Sequence, residues 1–242
     1  MFSILPVFVI AAEFMDGANP FLLGLAMGIY GFFQSILQIP LGFLSDRLGR
    51  RKVIIGALLV FVLGSVVAAL ADHIYWLMLG RALQGMGAIA GVLLALVSDL
   101  TRLEHRSKAM AIVGACIGIS FAVSMLVGPL LFTFSGLSGL FMLSAVAGLI
   151  GIGIVVFLVP AVQIKPFNLN SGPQRNQLAE VLRDHNLWVL NFSIFVTHYL
   201  LMSGFLAFPL LLSGAGINLS EHSQYYLIIL LGSFVAMLPF VY

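Results

Sequence analysis

The sequence predicts an all-α membrane protein, and three observations carry the prediction. Of its 242 residues, 61% are hydrophobic and only 8% charged, with a mean hydropathy of +1.13, whereas soluble domains carry roughly 25% charged residues. The apolar residues fall in runs long enough to cross a bilayer, which takes about 20 residues for about 30 Å of hydrocarbon. The charges collect in short stretches between those runs, as in "GFLSDRLGRRK", where five of eleven positions from Gly42 to Lys52 are charged. Only helices pair every backbone polar group within one such segment, so a helical bundle follows.

Taken in order, the chain opens with an apolar piece at 1–12 that would rise only about 18 Å as a helix before Glu13. It is too short to cross alone and is expected to be half a helix. Spans are predicted at 21–43, 53–71, 76–97, 109–132 and 139–160, then at 187–212 and 223–242. Because the last run stops at Tyr242 and the first is short, a piece of a longer polytopic protein is expected. No basic region precedes the acidic "AAEFMDG", so a signal peptide is not predicted.

Residues 161–186 interrupt the pattern with the polar "IKPFNLNSGPQ", which holds Pro166, Gly172 and Pro173. In the following "QRNQLAEVLRDH", Leu178, Val181 and Leu182 share a helical face beside Arg175 and Arg183, as in a short interfacial helix. The predicted organisation is a first bundle over 1–160, a cytoplasmic linker over 161–186 and the start of a second bundle over 187–242.

The formal charge of +2 does not argue for nucleic acid, because its distribution is one-sided. Four basic residues lie in 44–52 (Arg47, Arg50, Arg51, Lys52), three in 98–108 (Arg102, Arg106, Lys108) and three in 161–186 (Lys165, Arg175, Arg183). The alternate loops carry Glu13, Asp16, Asp72 and Glu221 but no Lys or Arg. By the positive-inside rule the basic loops face the cytoplasm.

Small residues recur at helical spacing at Gly24 with Gly28, Gly114 with Gly118, and Gly80, Gly85, Gly87 and Gly91. In lipid they let helix backbones approach closely, which predicts a packed bundle. The lone Cys116 offers no disulfide and reads as a small packing residue. Gly85 and Gly87 follow no strand, which excludes a dinucleotide loop, and the five His are scattered without metal-ligand spacing. No enzyme site, metal or cofactor is expected.

Arg81 is the one basic residue inside a span, and an intramembrane arginine costs about 2.5 to 3.5 kcal/mol on insertion scales. Either its long side chain snorkels to the nearby helix end, or it faces a cavity with Gln84 one turn below and serves substrate or proton coupling. Tyr30, Gln34 and Gln38 share one helical face and can line a cavity or bond between helices. His198, mid-span, titrates in the useful range or sits neutral against a backbone carbonyl. No Asp or Glu lies inside a complete span, so a proton must travel by another group or another part of the protein.

The stretch from Gly42 to Lys52 resembles the G-x-L-x-D-R-x-G-R-[KR] loop between the second and third helices of the major facilitator superfamily. "RALQGMGAIAG" in the fourth span resembles that family's R-x-x-Q-G motif, and "LPVF" its proline motif in drug efflux members. More narrowly, "GIYGFFQSILQIPLGFLSDRLGR", "GRALQGMGAIA" and "SDLTRLEHRSKAMA" are similar to the YajR-type bacterial efflux transporters. In the fifth span "SMLVGPLLFT" keeps Gly128 and Pro129 of the antiporter motif, while Ser124, Phe132 and Thr133 replace its other glycines.

The resemblance implies the major facilitator fold: an N-terminal six-helix bundle plus the first helices of a C-terminal bundle, with substrate between them and alternating access by rocking. It implies a bacterial inner-membrane exporter whose partners are a small-molecule substrate, protons and the lipid bilayer. Direction stays open to import, and a fold-keeping membrane protein without transport is the other reading.

The opening stretch also predicts a clasp. Asp46 ends a helix where the dipole disfavours a carboxylate by about 0.3 to 1 kcal/mol, and so needs a partner. Arg50 is one candidate, and the resemblance implies another in a helix of the C-terminal bundle. Asp99 repeats the problem, with Arg50, Arg51 and Arg102 as candidates. Gly42 is expected to admit a neighbouring helix, and Gly49 to take the positive φ of a tight turn.

Overall fold

The computed structural model describes residues 3–160, 183–218 and 221–237. The helices are α1 Phe8–Ala12, α2 Pro20–Leu48, α3 Arg50–Ala69, α4 Ile74–Met86, α5 Ala90–Leu100, α6 Arg106–Phe157, α7 His185–Gly214 and α8 His222–Met237. A 3-10 turn at Leu103–His105 leads into α6. Among the described residues there is no strand, only an isolated bridge between Asp16 and His73. Fold class and all-helical content are as the sequence predicts.

Local chemistry sets the helix ends. Asn19 accepts the Leu22 amide at 2.9 Å, and Pro20 occupies the first turn of α2, where its missing N–H is harmless. α2 stops at Gly49, whose φ of +94° only glycine takes without strain, and α3 starts at the next residue. Asp184 caps α7 by accepting the amides of Asn186 and Leu187.

Among the described residues, five stretches have the length and composition to cross a membrane: Pro20–Leu48, Arg50–Ala69, Ile74–Leu100, Leu103–Phe157 and His185–Gly214. α6 is two crossings in one, because its 52 residues would extend to about 78 Å if straight. Its helical geometry breaks at Gly136 (φ +63°). Leu131 and Phe132 before the break then pack on the same core as Leu140 and Phe141 after it.

Three boundaries differ from the sequence reading. The expected loop at 133–138 is helical up to the single break at Gly136, since one left-handed glycine suffices to redirect the chain. The fourth span divides into α4 and α5 around 87–89, where Gly87 closes α4 against α3. The opening piece contributes only the five residues of α1, after turns at 3–7. The predicted interfacial helix around Leu178, Val181 and Leu182 lies outside the described residues.

α3 is the hub, packing most heavily on α6 and α4. One apolar core lies toward the acidic loops, built on Val7, Phe8, Ala12, Leu23, Ala68, Ile74, Leu77, Leu140 and Phe141. A second, Val53, Ile54, Ala57, Val92, Leu96 and Val155, lies toward the basic ones.

Candidate functional site

The glycines that matter are those between α3 and α4. A Cβ on Gly80 would stand 2.6 Å from the Ala68 amide nitrogen and 2.8 Å from the Gly64 carbonyl oxygen. A Cβ on Gly64 would stand 2.6 Å from the Gln84 amide nitrogen, and one on Gly87 2.5 Å from Ala57 O. Gly85 lies on the Tyr30 carbonyl of α2, and Gly91 faces the Gln38 side chain. At Gly64, Gly80, Gly85 and Gly87 the backbones touch, and real Cβ atoms have no room there. By contrast Gly24, Gly28, Gly114 and Gly118 meet nothing within 4 Å. Their spacing therefore marks no close packing among the described residues, and Cys116 is exposed rather than packed.

Close packing of α4 encloses Arg81, which is 1% exposed. Its Nε donates to the Ala26 carbonyl of α2 at 3.4 Å, and its Nη1 to Gln84 Oε1 at 3.1 Å. Gln84, itself fully buried, donates from Nε2 to Ser65 Oγ of α3 at 2.8 Å, and Ser65 donates to the Phe61 carbonyl at 2.8 Å. The guanidinium carbon lies 4.7 Å from the Tyr30 ring centroid and 5.6 Å from that of Phe8. Arginine is suited to this seat because its planar fork donates in two directions while its faces stack on aromatic rings. The side chain points into the bundle, so the snorkelling alternative is not realised.

Arg81, Gln84 and Tyr30 thus form one group with two members the sequence did not single out, Ser65 and Phe8. Gln34 and Gln38 lie further along α2, each partly exposed. Gln38 Oε1 is a buried oxygen with no hydrogen-bond donor among the described residues. His198 is exposed on α7, with Nδ1 3.0 Å from the Ile194 carbonyl of its own helix. No described contact joins it to the Arg81 group. Gly128 packs on the Ser3 carbonyl, and Pro129 is buried within α6.

At the basic end a single guanidinium gathers three helices. Arg50, the first residue of α3, reaches Asp46 of α2 at 2.5 Å, Asp99 of α5 at 3.0 Å and the hydroxyl of Ser45 at 2.5 Å. Ser45, 1% exposed, donates in turn to the Gly42 carbonyl at 2.6 Å. Arg51 donates to the carbonyl of Val156 near the end of α6, where a cation also suits the dipole. Arg47 occupies the last turn of α2. A Cβ on Gly42 would meet nothing within 4 Å, so the expected close helix approach is not made there among the described residues. The ion pairs are only partly buried, Asp46 and Asp99 being 40% and 38% exposed. Each contributes modestly on its own. Among the described residues no group of His, Cys, Asp and Glu is placed to hold a metal.

Membrane-length helices, backbones in contact through glycine, an arginine enclosed within the bundle and an ionic clasp at one end define a multi-pass helical membrane protein. A family model described as Major Facilitator Superfamily matches residues 1–242, and the chain belongs to that superfamily. It is 44% identical over 241 residues to the inner membrane transport protein YajR of Escherichia coli, covering all of this chain and 53% of that one. It is 36% identical over 237 residues to an uncharacterized transporter of Buchnera aphidicola, covering 97% of this chain and 60% of the relative. The chain thus spans just over half the length of these relatives. Among solved structures, an auto-inhibited POT family peptide transporter aligns with a TM-score of 0.53 at 18% identity, over 96% of this chain and 51% of that one. That likeness speaks for the fold alone.

Proposed function

We propose that this chain is part of a secondary active transporter that exports a small organic molecule in exchange for protons by alternating access. In this reading residues 1–160 form the N-terminal bundle, 161–186 a cytoplasmic linker and 187–242 the start of the C-terminal bundle. The protein sits in the bacterial inner membrane with its basic loops in the cytoplasm, consistent with the name of the Escherichia coli relative and with the one-sided charge.

The observation that carries the reading is the enclosed Arg81. A cation inside a membrane bundle is costly and, where present, marks a substrate, ion or proton pathway. The partners described for it are neutral: two oxygen acceptors and two ring faces. In this reading an anionic group competes for the Arg81 guanidinium, or the charge of a proton carrier nearby acts on it. Tyr30, Gln34 and Gln38 extend a polar face from it along α2, and His198 is a titratable group on the other bundle. In this reading the Arg50 cluster of α2, α3 and α5 meets a helix end of the second bundle to close the cytoplasmic end in one state and parts from it in the other.

The test is flux in everted vesicles carrying an imposed pH gradient, acid inside, with a panel of labelled small organic solutes. Export by exchange appears as solute accumulation that collapses with the gradient and is lost in folded Arg81→Ala protein. Accumulation under the opposite gradient identifies a proton-coupled importer instead. No gradient-linked flux of any solute by well-inserted protein rejects the transport reading.

A further inference from the structure

Where the first 160 residues meet the helices beyond 182, a small apolar cluster joins them: Leu5, Met125, Phe205 and Tyr226, each at most 8% exposed. Phe121 of α6 meets Phe205 of α7 edge to face, ring centroids 5.7 Å apart. A polar contact described within this seam crosses it. Tyr226 of α8, 3% exposed, donates its hydroxyl to the Pro6 carbonyl at 3.2 Å. His222, fully buried one turn earlier, stands edge to face against the Tyr226 ring and is tied by Nε2 to the Ile217 carbonyl at 3.3 Å. That fixes the phenol from behind.

The seam lies toward the acidic loops. Tyr226 is one turn, about 6 Å, into a helix that starts beside Glu221, and Pro6 leads directly through α1 to Glu13. The Arg50 clasp occupies the opposite end. The two devices also differ in kind: the clasp pairs charges, whereas the seam is apolar around the hydroxyl-to-carbonyl bond described. Parting it strands no charge. It does bare a carbonyl and a phenol that water must then serve, since unpaired polar groups in an apolar setting are expensive.

We infer that Tyr226 and the Pro6 carbonyl form the latch that closes the transport path at the acidic end, with His222 as a positioning residue for the phenol. The inference rests on the alternating-access reading above, and its test needs no substrate. In the full-length protein in its membrane, with Cys116→Ser as background, single cysteines are placed at Leu5 in the seam and at Ile54 in the basic-end core. Their reaction with an impermeant maleimide is then timed. Tyr226→Phe, which keeps the ring and removes the bond, is expected to speed labelling at position 5 by about fivefold, the shift that one ordinary hydrogen bond gives. Position 54 should stay unchanged. Equal rates with and without the hydroxyl overturn the latch, and so does a rise at both positions, which would mean general loosening. If Tyr226→Phe protein fails to accumulate, cysteines at 5 and 226 bridged by a short bis-maleimide should block labelling further down the path, and failure to bridge also overturns the proposal. Absent flux with an isolated rise at position 5 removes the transport reading and keeps the latch. Gradient-linked flux with no such rise does the reverse.

Discussion

Arg81 shows how much of a residue's role depends on what its neighbours leave open. The insertion cost alone marks it as needing a reason, but two reasons fit: a reach to the headgroups or a place inside the bundle. Its enclosure decides for the interior, because Gly80 lets α3 and Gly85 lets α2 come close against α4 from different sides. Arg81→Lys keeps the charge, loses the two-directional fork and the ring stacking, and is expected to slow flux about tenfold or more while inserting normally. Vesicle flux with surface-labelling controls measures it, and wild-type rates would remove the fork from the account. Ser65→Ala takes the acceptor from the buried Gln84 amide. It should lower stability by about 1 to 3 kcal/mol in detergent unfolding, the cost of one buried group left unsatisfied. No periodic or motif signal marks Ser65, since a serine in a span is unremarkable until a partner meets it.

At the scale of elements, glycine spacing and glycine contact part company. The run from Gly80 to Gly91 sits on neighbouring backbone or side chain, while Gly24, Gly28, Gly114 and Gly118, with the same helical spacing, sit on nothing within 4 Å. A one-dimensional pattern shows which residues share a helix face, not whether another helix arrives there. The difference is testable. Gly80→Ala places a methyl 2.6 Å from the Ala68 amide nitrogen, so α3 and α4 must move apart, and a loss of about 1 to 3 kcal/mol is expected. Gly114→Ala gains helix propensity with no clash and should be neutral or stabilising by up to about 1 kcal/mol. Thermal unfolding of the two purified variants compares them directly, and equal shifts would contradict the packing described.

For the whole molecule, Arg50 ties the basic ends of α2, α3 and α5 to one another through Asp46 and Asp99. Asp46 and Asp99 share one guanidinium, so removing either carboxylate leaves the cation still paired. The double variant Asp46→Asn with Asp99→Asn should therefore shift the population toward the open basic end more than the sum of the single changes. Flux and cysteine accessibility at that end, measured together in vesicles of known orientation, check this. Unchanged values for both in well-expressed protein reduce the stretch from Gly42 to Lys52 to an orientation signal. The same labelling tests orientation, because cysteines at 50 and 106 should be unreactive from outside intact cells.

The sequence by itself determined the solvent, the helical class, most of the crossings and the position of the clasp, because hydrophobic length and charge are local properties written along the chain. It also pointed to Gly49, whose turn φ follows from the abrupt join of two spans, and to Arg50 as a partner for Asp46 four residues away. The tertiary structure alone decided which glycines touch, that Arg81 turns inward, that Arg50 among the three candidate arginines pairs with Asp99, and that Tyr226 reaches Pro6 across 220 positions. These are contacts between segments far apart in the chain. In a membrane they depend on shape fit and on the pairing of scarce polar groups, not on hydrophobicity, which every lipid-facing and bundle-facing surface shares alike.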